Sequence, residues 1–345
     1  MSWKVYPISE FKNHQDRWQK LNQESTGSPL LELAFITPML HAFSNGKEIL
    51  VCYESNNTLL AMAILCSNGL GRWTTFQPSD APIGAWIHCA TADLSMLLST
   101  LIKKLPGYPL IVGVTQQDPD LVPRPQNQGT LKTIDYIRTA RISLLGDFES
   151  YWQARGKNLR QNMQKQRNRL EKNIVTTRLQ ISTKTGEVEQ AVIDYGKIEG
   201  ASWKAKHGTA IHPANIQGKF YLNMLENFCR QGAGCIYRYW YNDKIVAMDL
   251  CIEGNGSFII LKTTYDENIS DKTSPALLMR QEIFEQLFNE SKLKRIEFYG
   301  RAMEWHTRWS DELRTMYHIN KYKWMPLLML HDIVRKSAAT SNQGK

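Results

Sequence analysis

The stretch C-I-Y-R-Y-W-Y-N-D-K-I-V-A-M-D-L-C-I-E-G-N-G-S-F-I-I-L-K-T-T-Y, from Cys235 to Tyr265, decides the fold of this chain. It is rich in aromatic and β-branched residues and is interrupted by Asn242-Asp243 and by Gly254-Asn255-Gly256. These turn residues tolerate the left-handed backbone of a hairpin. The pattern therefore predicts an antiparallel meander of three strands: Cys235–Tyr241, Ile245–Glu253 and Ser257–Tyr265.

A loop and a helix follow the meander. After the polar residues 266–273, Ser274-Pro275 opens an apolar-periodic helix that runs to Phe288, and Leu293–Phe298 forms a further strand. Serine suits the N-cap of a helix and proline suits its first turn. Because free N–H groups and the helix dipole converge at a helix N-terminus, this arrangement can hold an anionic ligand there.

Length and charge limit the classes of protein. At 345 residues the chain suggests about two domains. Its net charge of +9 favours anionic partners, such as a phosphorylated cofactor, nucleic acid, an acidic polysaccharide or a membrane surface. The six cysteines form no C-x-x-C pair, which indicates neither a metal site nor a disulfide framework. No signal peptide and no membrane span is recognised, so we expect a cytoplasmic protein.

The order of elements is similar in the two halves of the chain, although the residues themselves show no repeat. We predict an α+β protein of two similar domains, each a mixed, mostly antiparallel sheet flanked by helices. The alternative is one mixed domain in which the order is coincidental. The predicted divisions are an N-terminal domain (1–146), a basic linker helix (147–174), a C-terminal domain (175–336, including a last stretch around Glu312–Trp324) and a disordered tail (337–345).

The predicted linker helix, Phe148–Asn173, is strongly cationic. Seven Lys or Arg residues lie between Arg155 and Lys172, against the single acid Glu171. Such a helix is either a cationic wall beside an anionic substrate or a solvated linker. The sequence shows no recognised nucleic-acid-binding motif, and no aromatic residues are interleaved with the cations.

A set of motifs resembles a known family. They occur in this order: Arg155–Leu170, Ser202-Trp203-Lys204, Tyr265-Asp266, Ser274-Pro275 with Leu277-Leu278, and Glu297–Trp309. The set is similar to the CelD-like branch of the GNAT (Gcn5-related) acyltransferases, which is related to the FemABX peptidyltransferases. The resemblance covers mainly residues 150–325. It implies tandem GNAT domains and members that accompany cellulose or exopolysaccharide biosynthesis.

The chain departs from the family pattern at three places. Ala276 stands where the family has glycine after Ser274-Pro275, which makes close backbone approach less easy. Glu297-Phe298-Tyr299 replaces Asp-Leu-Gly, and His306-Thr307 replaces a frequent Tyr-Lys pair. The pyrophosphate signature of simple GNAT enzymes, Q/R-x-x-G-x-G/A, is not clear in this sequence. Use of acetyl-CoA or another acyl-CoA is therefore what the resemblance implies.

Acyl transfer from a thioester needs backbone N–H groups that polarise the carbonyl, and it needs an acid for the leaving thiolate. In this interpretation the strand around Ile259–Thr263 supplies the N–H groups, and the loop with the following helix start holds the pyrophosphate. The candidate cofactor-binding residues are Ile260, Leu261, Lys262, Thr263, Lys272, Ser274, Ala276 and Leu277.

Two residues are candidates for catalysis. Asp249 lies in an otherwise apolar strand, where a carboxylate should face a cleft or a partner, and it is the candidate general base. The alternative is a structural salt bridge, with Lys262 or Arg301 as the expected partner. Tyr265 ends the third strand and is the candidate acid for the thiolate, or else it caps the core.

The candidate substrate-binding residues combine aromatic and charged side chains. Tryptophan faces stack on sugar rings, and cations meet carboxylates or phosphates, although each tryptophan alone is more often a core residue. They are Arg160, Trp203, Lys204, Asp266, Arg301, Trp305, His306 and Trp309. The segment Lys321–Lys336 is apolar with basic ends, which suits either packing on the domain or peripheral membrane contact.

The expected function is acyl transfer from acyl-CoA to an amine, or a hydroxyl, of an amino-sugar or glycan precursor, which could be lipid-linked. One alternative is a FemABX-type aminoacyltransferase that uses charged tRNA. Another is a non-catalytic accessory protein of polysaccharide biosynthesis. No metal and no DNA partner are expected.

Overall fold

The computed structural model describes residues 2–201, 211–269 and 273–342. The strands are β1 (Ser2–Pro7), β2 (Ile49–Ser55), β3 (Thr58–Ser67), β4 (Arg72–Thr75), β5 (Trp86–His88), β6 (Ile111–Gln117), β7 (Leu131–Ser143), β8 (Thr177–Ser182), β9 (Gly234–Tyr241), β10 (Lys244–Gly254), β11 (Ser257–Tyr265), β12 (Arg295–Glu297) and β13 (Leu313–Tyr322). The α-helices are α1 (Gln15–Glu24), α2 (Leu33–Phe43), α3 (Leu94–Leu101), α4 (Phe148–Gln153), α5 (Lys157–Lys172), α6 (Val188–Gly200), α7 (Ile216–Arg230), α8 (Pro275–Glu290), α9 (Glu304–Trp309) and α10 (Met325–Asn342).

The described chain forms two compact units. The first contains residues 1–36, 44–137 and 315–345, and the second contains residues 37–43 and 138–314. The predicted boundary near residue 146 is therefore displaced, and the predicted C-terminal domain does not keep its last stretch. Among the described residues no helix is long and apolar enough to cross a bilayer.

Both units contain the same kind of sheet. In the first, β1, β2, β3 and β4 are antiparallel neighbours, β6 is parallel to β4, and β13 is antiparallel to β6. In the second, β8, β9, β10 and β11 are antiparallel, β12 is parallel to β11, and β7 is antiparallel to β12. The predicted α+β class, with two mixed and mostly antiparallel sheets flanked by helices, is confirmed.

The two sheets exchange their last strands: β7 completes the sheet of the second unit, and β13 completes the sheet of the first unit. In chain order β7 follows β6, yet its residues 141–143 pair with β12 of the second unit. Likewise β13 follows β12, yet it pairs with β6 of the first unit. Tyr317 and Ile319 of β13 are buried in the first core, while Ala140 and Ile142 of β7 are buried in the second. The first core thus takes side chains from a distant part of the sequence, whereas Ala140 and Ile142 lie at the start of the long segment of the second unit.

The turns of the meander follow the predicted chemistry. Asn242, Asn255 and Gly256 all have positive φ angles, as hairpin turns of this kind require. The meander strands were predicted to within two residues. Short strands such as β1, β5 and β8 were not predicted, because a short strand has too few residues to show a clear alternation of apolar and polar side chains.

The predicted single helix Phe148–Asn173 is wrong. The chain forms α4 and α5 instead, and Gly156 with extended ψ occupies the N-cap of α5. Leu159, Met163 and Leu170 of α5 are buried in the second core, so α5 belongs to that unit and is not a solvated linker. Residues 337–342 of the predicted disordered tail belong to α10, and residues 343–345 lie outside the described residues.

Candidate functional site

The site begins where β11 and β12 separate. Their parallel pairing covers Ser257–Ile259 opposite Arg295–Glu297, whereas β11 itself continues to Tyr265. After Glu297 the chain stays alongside β7, since the Phe298 N–H donates to the carbonyl of Ala140 (3.3 Å), but its pairing with β11 ends. The next residue, Tyr299, has a positive φ of 50°. Beyond Ile259, therefore, β11 presents an edge that β12 does not cover.

A β-bulge lies in β11 at the same point. Leu250 of β10 is opposite Lys262, and Cys251 is opposite Ile260, so Leu261 is an extra residue in β11. A bulge leaves a residue out of the regular ladder and turns nearby groups in a new direction. The edge of β11 thus departs from regular strand geometry just after the two strands part.

A buried polar cluster lies beside this edge, and Arg280 of α8 connects its members. The Arg280 guanidinium donates to Thr263 Oγ1 (2.8 Å), and its Nε lies 4.0 Å from Asp249 Oδ2. Its other contact is with Trp305, whose ring centroid is 4.2 Å from Cζ, and the Trp305 ring stacks on His306. We call these five residues the Arg280 cluster.

Burial controls the charges in the Arg280 cluster. It raises the pKa of Asp249, against the opposing effects of the Arg280 charge and a hydrogen bond from Thr263. It also lowers the pKa of Arg280. Burial together with the nearby Arg280 charge lowers the pKa of His306 to about 4. The His306 ring is therefore neutral at pH 7, and its Nδ1 accepts the Met303 N–H (2.9 Å).

Asp249 was expected to face a cleft or a partner, and its complete burial beside Arg280 shows that it faces a partner. Its cationic neighbour is Arg280 and neither Lys262 nor Arg301. The Lys262 ammonium lies over the ring of Tyr221 in α7 (5.4 Å), and Arg301 is exposed. A carboxylate with no exposed atom in this conformation does not contact an amine substrate directly.

A polar cavity lies between α5 and the N-terminus of α8. Its volume is about 470 Å³, and its lining includes Asn158, Asn162, Lys165, Gln166, Arg169 and Ser274. The Ser274 N–H donates to Gln166 Oε1 (2.6 Å), which fixes the start of α8 against α5. Two cations therefore face the positive end of a 16-residue helix, which is the electrostatic setting that favours an anion. We call this cavity the α5–α8 pocket.

A second cavity is adjacent along α5. It has a volume of about 510 Å³, shares Asn158 and Asn162 with the α5–α8 pocket, and reaches Leu277, Glu304 and Arg308. Its charged groups have both signs: Arg155 lies 3.3 Å from Asp311, and Arg308 lies 2.7 Å from Glu304. We call it the α5–α9 pocket. The two pockets therefore adjoin at Asn158 and Asn162 of α5.

The other candidate cofactor-binding residues are divided between these features. Ser274 lines the α5–α8 pocket and Leu277 the α5–α9 pocket. Ile260 and Ala276 are buried in the core, so their side chains do not line either cavity. Lys272 lies outside the described residues.

The candidate catalytic and substrate residues are also dispersed. Tyr265 is 47% exposed at the end of β11. Arg160 donates to the Arg155 carbonyl and to Gln153. Asp266 accepts from Lys244 (2.5 Å) and from the Asn268 N–H. Although burial opposes it, these hydrogen bonds lower the pKa of Asp266, so this residue stabilises its own loop.

The predicted tryptophans have different outcomes. Trp305 is half-buried in the Arg280 cluster. Trp309 is completely buried in the second core, so the prediction that it stacks on a sugar is corrected. Trp203 and Lys204 lie outside the described residues.

Sequence reasoning missed Arg280 and the polar residues of α5. Arg280 lies on the apolar face of α8, four residues after Ala276 and three before Ile283, and an arginine on such a stripe is a signal of a buried partner. Asn158, Asn162 and Gln166 recur every four residues, which places them on one face of α5.

Within residues 2–201, 211–269 and 273–342, no group of three His, Cys, Asp or Glu side chains could hold a metal ion.

Comparison with known proteins identifies the class. Residues 157–307 match the family model described as an acetyltransferase (GNAT) domain. These residues include α5, the meander, α8 and the Arg280 cluster. Residues 157–307 therefore form a GNAT domain, the type of domain found in GNAT-type acyltransferases. No curated protein matches this chain.

Solved structures share the fold over nearly the whole chain. FemX is 10% identical, with a TM-score of 0.57 over 92% of this chain and 98% of its own. L-PGS from Bacillus licheniformis is 12% identical, with a TM-score of 0.54 over 91% and 94%. The C-terminal domain of a protein named as a lysylphosphatidylglycerol synthetase, from Agrobacterium fabrum, is 12% identical, with a TM-score of 0.54 over 90% and 92%. At these identities the likeness shows a common fold.

Proposed function

We propose that this protein transfers an acyl group from acyl-CoA to an amine, or a hydroxyl, of an amino-sugar or glycan precursor of the cell envelope. The observation that carries the proposal is the α5–α8 pocket, which brings Lys165 and Arg169 to the N-terminus of α8. The CelD-like resemblance supports the sugar acceptor, and a lipid-linked acceptor belongs to the same proposal.

The donor would lie along β11. Its phosphates would be held by Lys165, Arg169 and the start of α8, where charge and helix dipole act together. Its thioester carbonyl would be polarised by backbone N–H groups near the Leu261 bulge. When the amine nitrogen attacks, the C–N bond forms, the C–S bond breaks, and the amine proton passes to solvent water. Tyr265 would give a proton to the leaving thiolate and would take one back from the solvent.

Asp249 takes a positioning role in this proposal. Because it is buried against Arg280, it would hold the guanidinium that contacts Thr263 and Trp305. Trp305 and His306 would in turn form the wall of the acceptor site. Turnover of Asp249→Asn should fall, with a smaller change in CoA affinity, because the donor phosphates bind elsewhere.

The test is isothermal titration of the full chain with acetyl-CoA and with free CoA. Lys165→Ala/Arg169→Ala should weaken binding by about tenfold or more, because each cation supplies a charge-assisted contact. Lys157→Ala is the matched control, since Lys157 is an exposed cation of the same helix outside the pocket lining. The donor site would be contradicted if the wild type gave no heat of binding with CoA at about millimolar concentration. It would also be contradicted if Lys165→Ala/Arg169→Ala and Lys157→Ala bound CoA with equal affinity.

A second candidate is a FemABX-type aminoacyltransferase that uses charged tRNA. The supporting observation is that Lys157, Lys165, Arg169 and Lys172 are exposed along α5, which is about 24 Å long. This candidate predicts binding of tRNA that weakens steeply with salt and is not displaced by CoA. Absence of binding to both CoA and tRNA would leave the accessory role in polysaccharide assembly.

A further inference from the structure

An apolar surface on the first unit is exposed along α10. Met325, Met329 and Leu330 are 41%, 58% and 59% exposed, respectively. Met325 and Met329 lie one turn apart and Leu330 follows Met329, so the three side chains fall within an arc of about 140° on one side of the helix. Three large apolar side chains on one exposed helix face are more than the scattered single ones of an ordinary surface.

The opposite face of α10 is fixed to the first unit. Leu328 lines a small cavity with Lys132 and Leu131, and Asp332 forms an ion pair with Lys132. The ring of His331 packs at 5.5 Å from that of Tyr322 in β13. These contacts set the rotation of the helix, so the apolar face is held outward.

Aromatic rings and lysines border the apolar face. Trp324 and Tyr108 lie with ring centroids 5.9 Å apart, and the Lys323 ammonium lies 3.9 Å from the Tyr108 centroid. Lys103 and Lys104 are exposed in the same segment that leads to Tyr108. Tryptophan and tyrosine favour the level of lipid headgroups, and lysine is attracted to anionic lipids.

We propose that this surface docks on an anionic lipid bilayer, with α10 lying in the interface. Its residues are Tyr108, Lys323, Trp324, Met325, Met329 and Leu330, and we call it the α10 patch. The apolar face would enter the acyl boundary, while the lysines would meet lipid phosphates. The cationic border favours this occupant over a second copy of the chain, because a twofold contact would oppose like charges. The proposal is independent of the acyl donor and acceptor.

The test is co-sedimentation of the full chain with vesicles. Binding is expected to an equimolar mixture of phosphatidylglycerol and phosphatidylcholine, and much less to phosphatidylcholine alone. Met329→Glu/Leu330→Glu should weaken binding to the anionic vesicles by about tenfold or more, because charge replaces apolar contact. Lys103→Ala/Lys104→Ala should weaken it severalfold, as should added salt.

Leu70→Glu is the matched control, because Leu70 is a 98% exposed leucine of the same unit, in the turn between β3 and β4. It should bind like the wild type. Each variant is checked by circular dichroism, and Met325→Glu replaces the double variant if the latter is unfolded. Failure of the wild type to bind anionic vesicles, or unchanged binding by the charged variants, overturns the proposal. A dimer that Met329→Glu/Leu330→Glu converts to monomer, without vesicle binding, would assign the patch to a second copy.

Discussion

Arg280 is the residue on which the interior of the site depends. It is almost completely buried and contacts a carboxylate, a hydroxyl and an indole ring at the point where β11 and β12 part. A buried guanidinium is costly unless such partners surround it. The same contacts that compensate for its burial also fix the orientation of Trp305.

A double-mutant cycle measures this dependence. Asp249→Asn and Arg280→Met should each lower the free energy of unfolding by about 3–5 kcal/mol, because each leaves the other group buried without its partner. The double variant should lose much less than the sum. Urea denaturation gives the three values.

The pair Lys244 and Asp266 is the control for that cycle. Their ion pair is at the surface, with the Lys244 side chain 62% exposed. The coupling between Lys244→Met and Asp266→Asn should be only about 0–1 kcal/mol. If the two cycles gave equal couplings, Arg280 would not be the organising residue of the cluster.

The raised pKa of Asp249 adds a pH dependence to the same test. Above the ordinary aspartate pKa of 3.8 the folded state binds more protons than the unfolded state, because burial disfavours the carboxylate. The contribution of Asp249 to stability therefore falls as pH rises from 3.8 toward the higher pKa of the folded state. Asp249→Asn should remove this component from the pH profile of unfolding.

At the residue scale the sequence singled out Asp249 for catalysis, Thr263 for cofactor binding, and Trp305 with His306 for substrate binding. All four lie in the Arg280 cluster, and their roles stay predictions. The sequence did not predict that Arg280 connects these four residues. The partner of Asp249 is 31 positions away on another element, and no local pattern encodes such a pairing. The burial of Trp309 could not be predicted either, because a single tryptophan has no sequence signal that separates core from cleft.

At the scale of elements, α6 and α7 are fitted closely to the segment that begins at Ile211. A Cβ on Gly196 of α6 would lie 2.5 Å from the Ile211 carbonyl oxygen. One on Gly218 of α7 would lie 1.9 Å from the His212 carbonyl oxygen. Glu199 of α6 accepts the Ile211 N–H (2.8 Å). Both glycines are therefore required by close backbone approach.

Gly196→Ala should reduce stability, although alanine is the better helix former by about 1 kcal/mol. The clash with a backbone oxygen should cost more than that gain, so a net loss of about 1–3 kcal/mol is expected in urea denaturation. Gly200→Ala is the control in the same helix, since no atom lies within 4 Å of its Cβ position. It should leave stability unchanged or slightly raised, and equal losses for both would contradict the close fit.

Elements with strong local signals were predictable. The meander was found because asparagine and glycine mark its turns, and α8 because Ser274-Pro275 marks its start. The division between α4 and α5 was missed, because one glycine in a long polar-periodic run is a weak signal of a break. The separation of β11 from β12 was not foreseen, since it depends on where the pairing between two distant strands ends, and no local pattern marks that point.

At the scale of the whole molecule, the exchange of β7 and β13 defines what can fold alone. A fragment of residues 1–146 lacks β13, which pairs with β6 and buries Tyr317 and Ile319 in the first core. We expect this fragment to show no cooperative unfolding transition in circular dichroism. Adding residues 311–345 as a separate peptide should restore one.

The control is the same mixture with Tyr317→Asp in the peptide, which should fail to restore folding. A cooperative transition of the fragment alone would contradict the structural role of the exchange. The exchange itself could not be predicted, because β7 and β13 both have ordinary strand patterns that do not specify their neighbours. Two domains of similar architecture could be inferred, but not which half supplies the last strand to each.

The late synthesis of β13 also has a consequence for the nascent chain on the ribosome. The first unit cannot be completed when its own half has been translated, because β13 ends only at Tyr322. At ordinary translation speeds the wait is on the order of tens of seconds. During that interval the edge of β6 lacks its partner and can pair with the wrong strand. The rate of synthesis and the access of chaperones should therefore affect the yield of native protein more strongly than in a chain whose domains close one after the other.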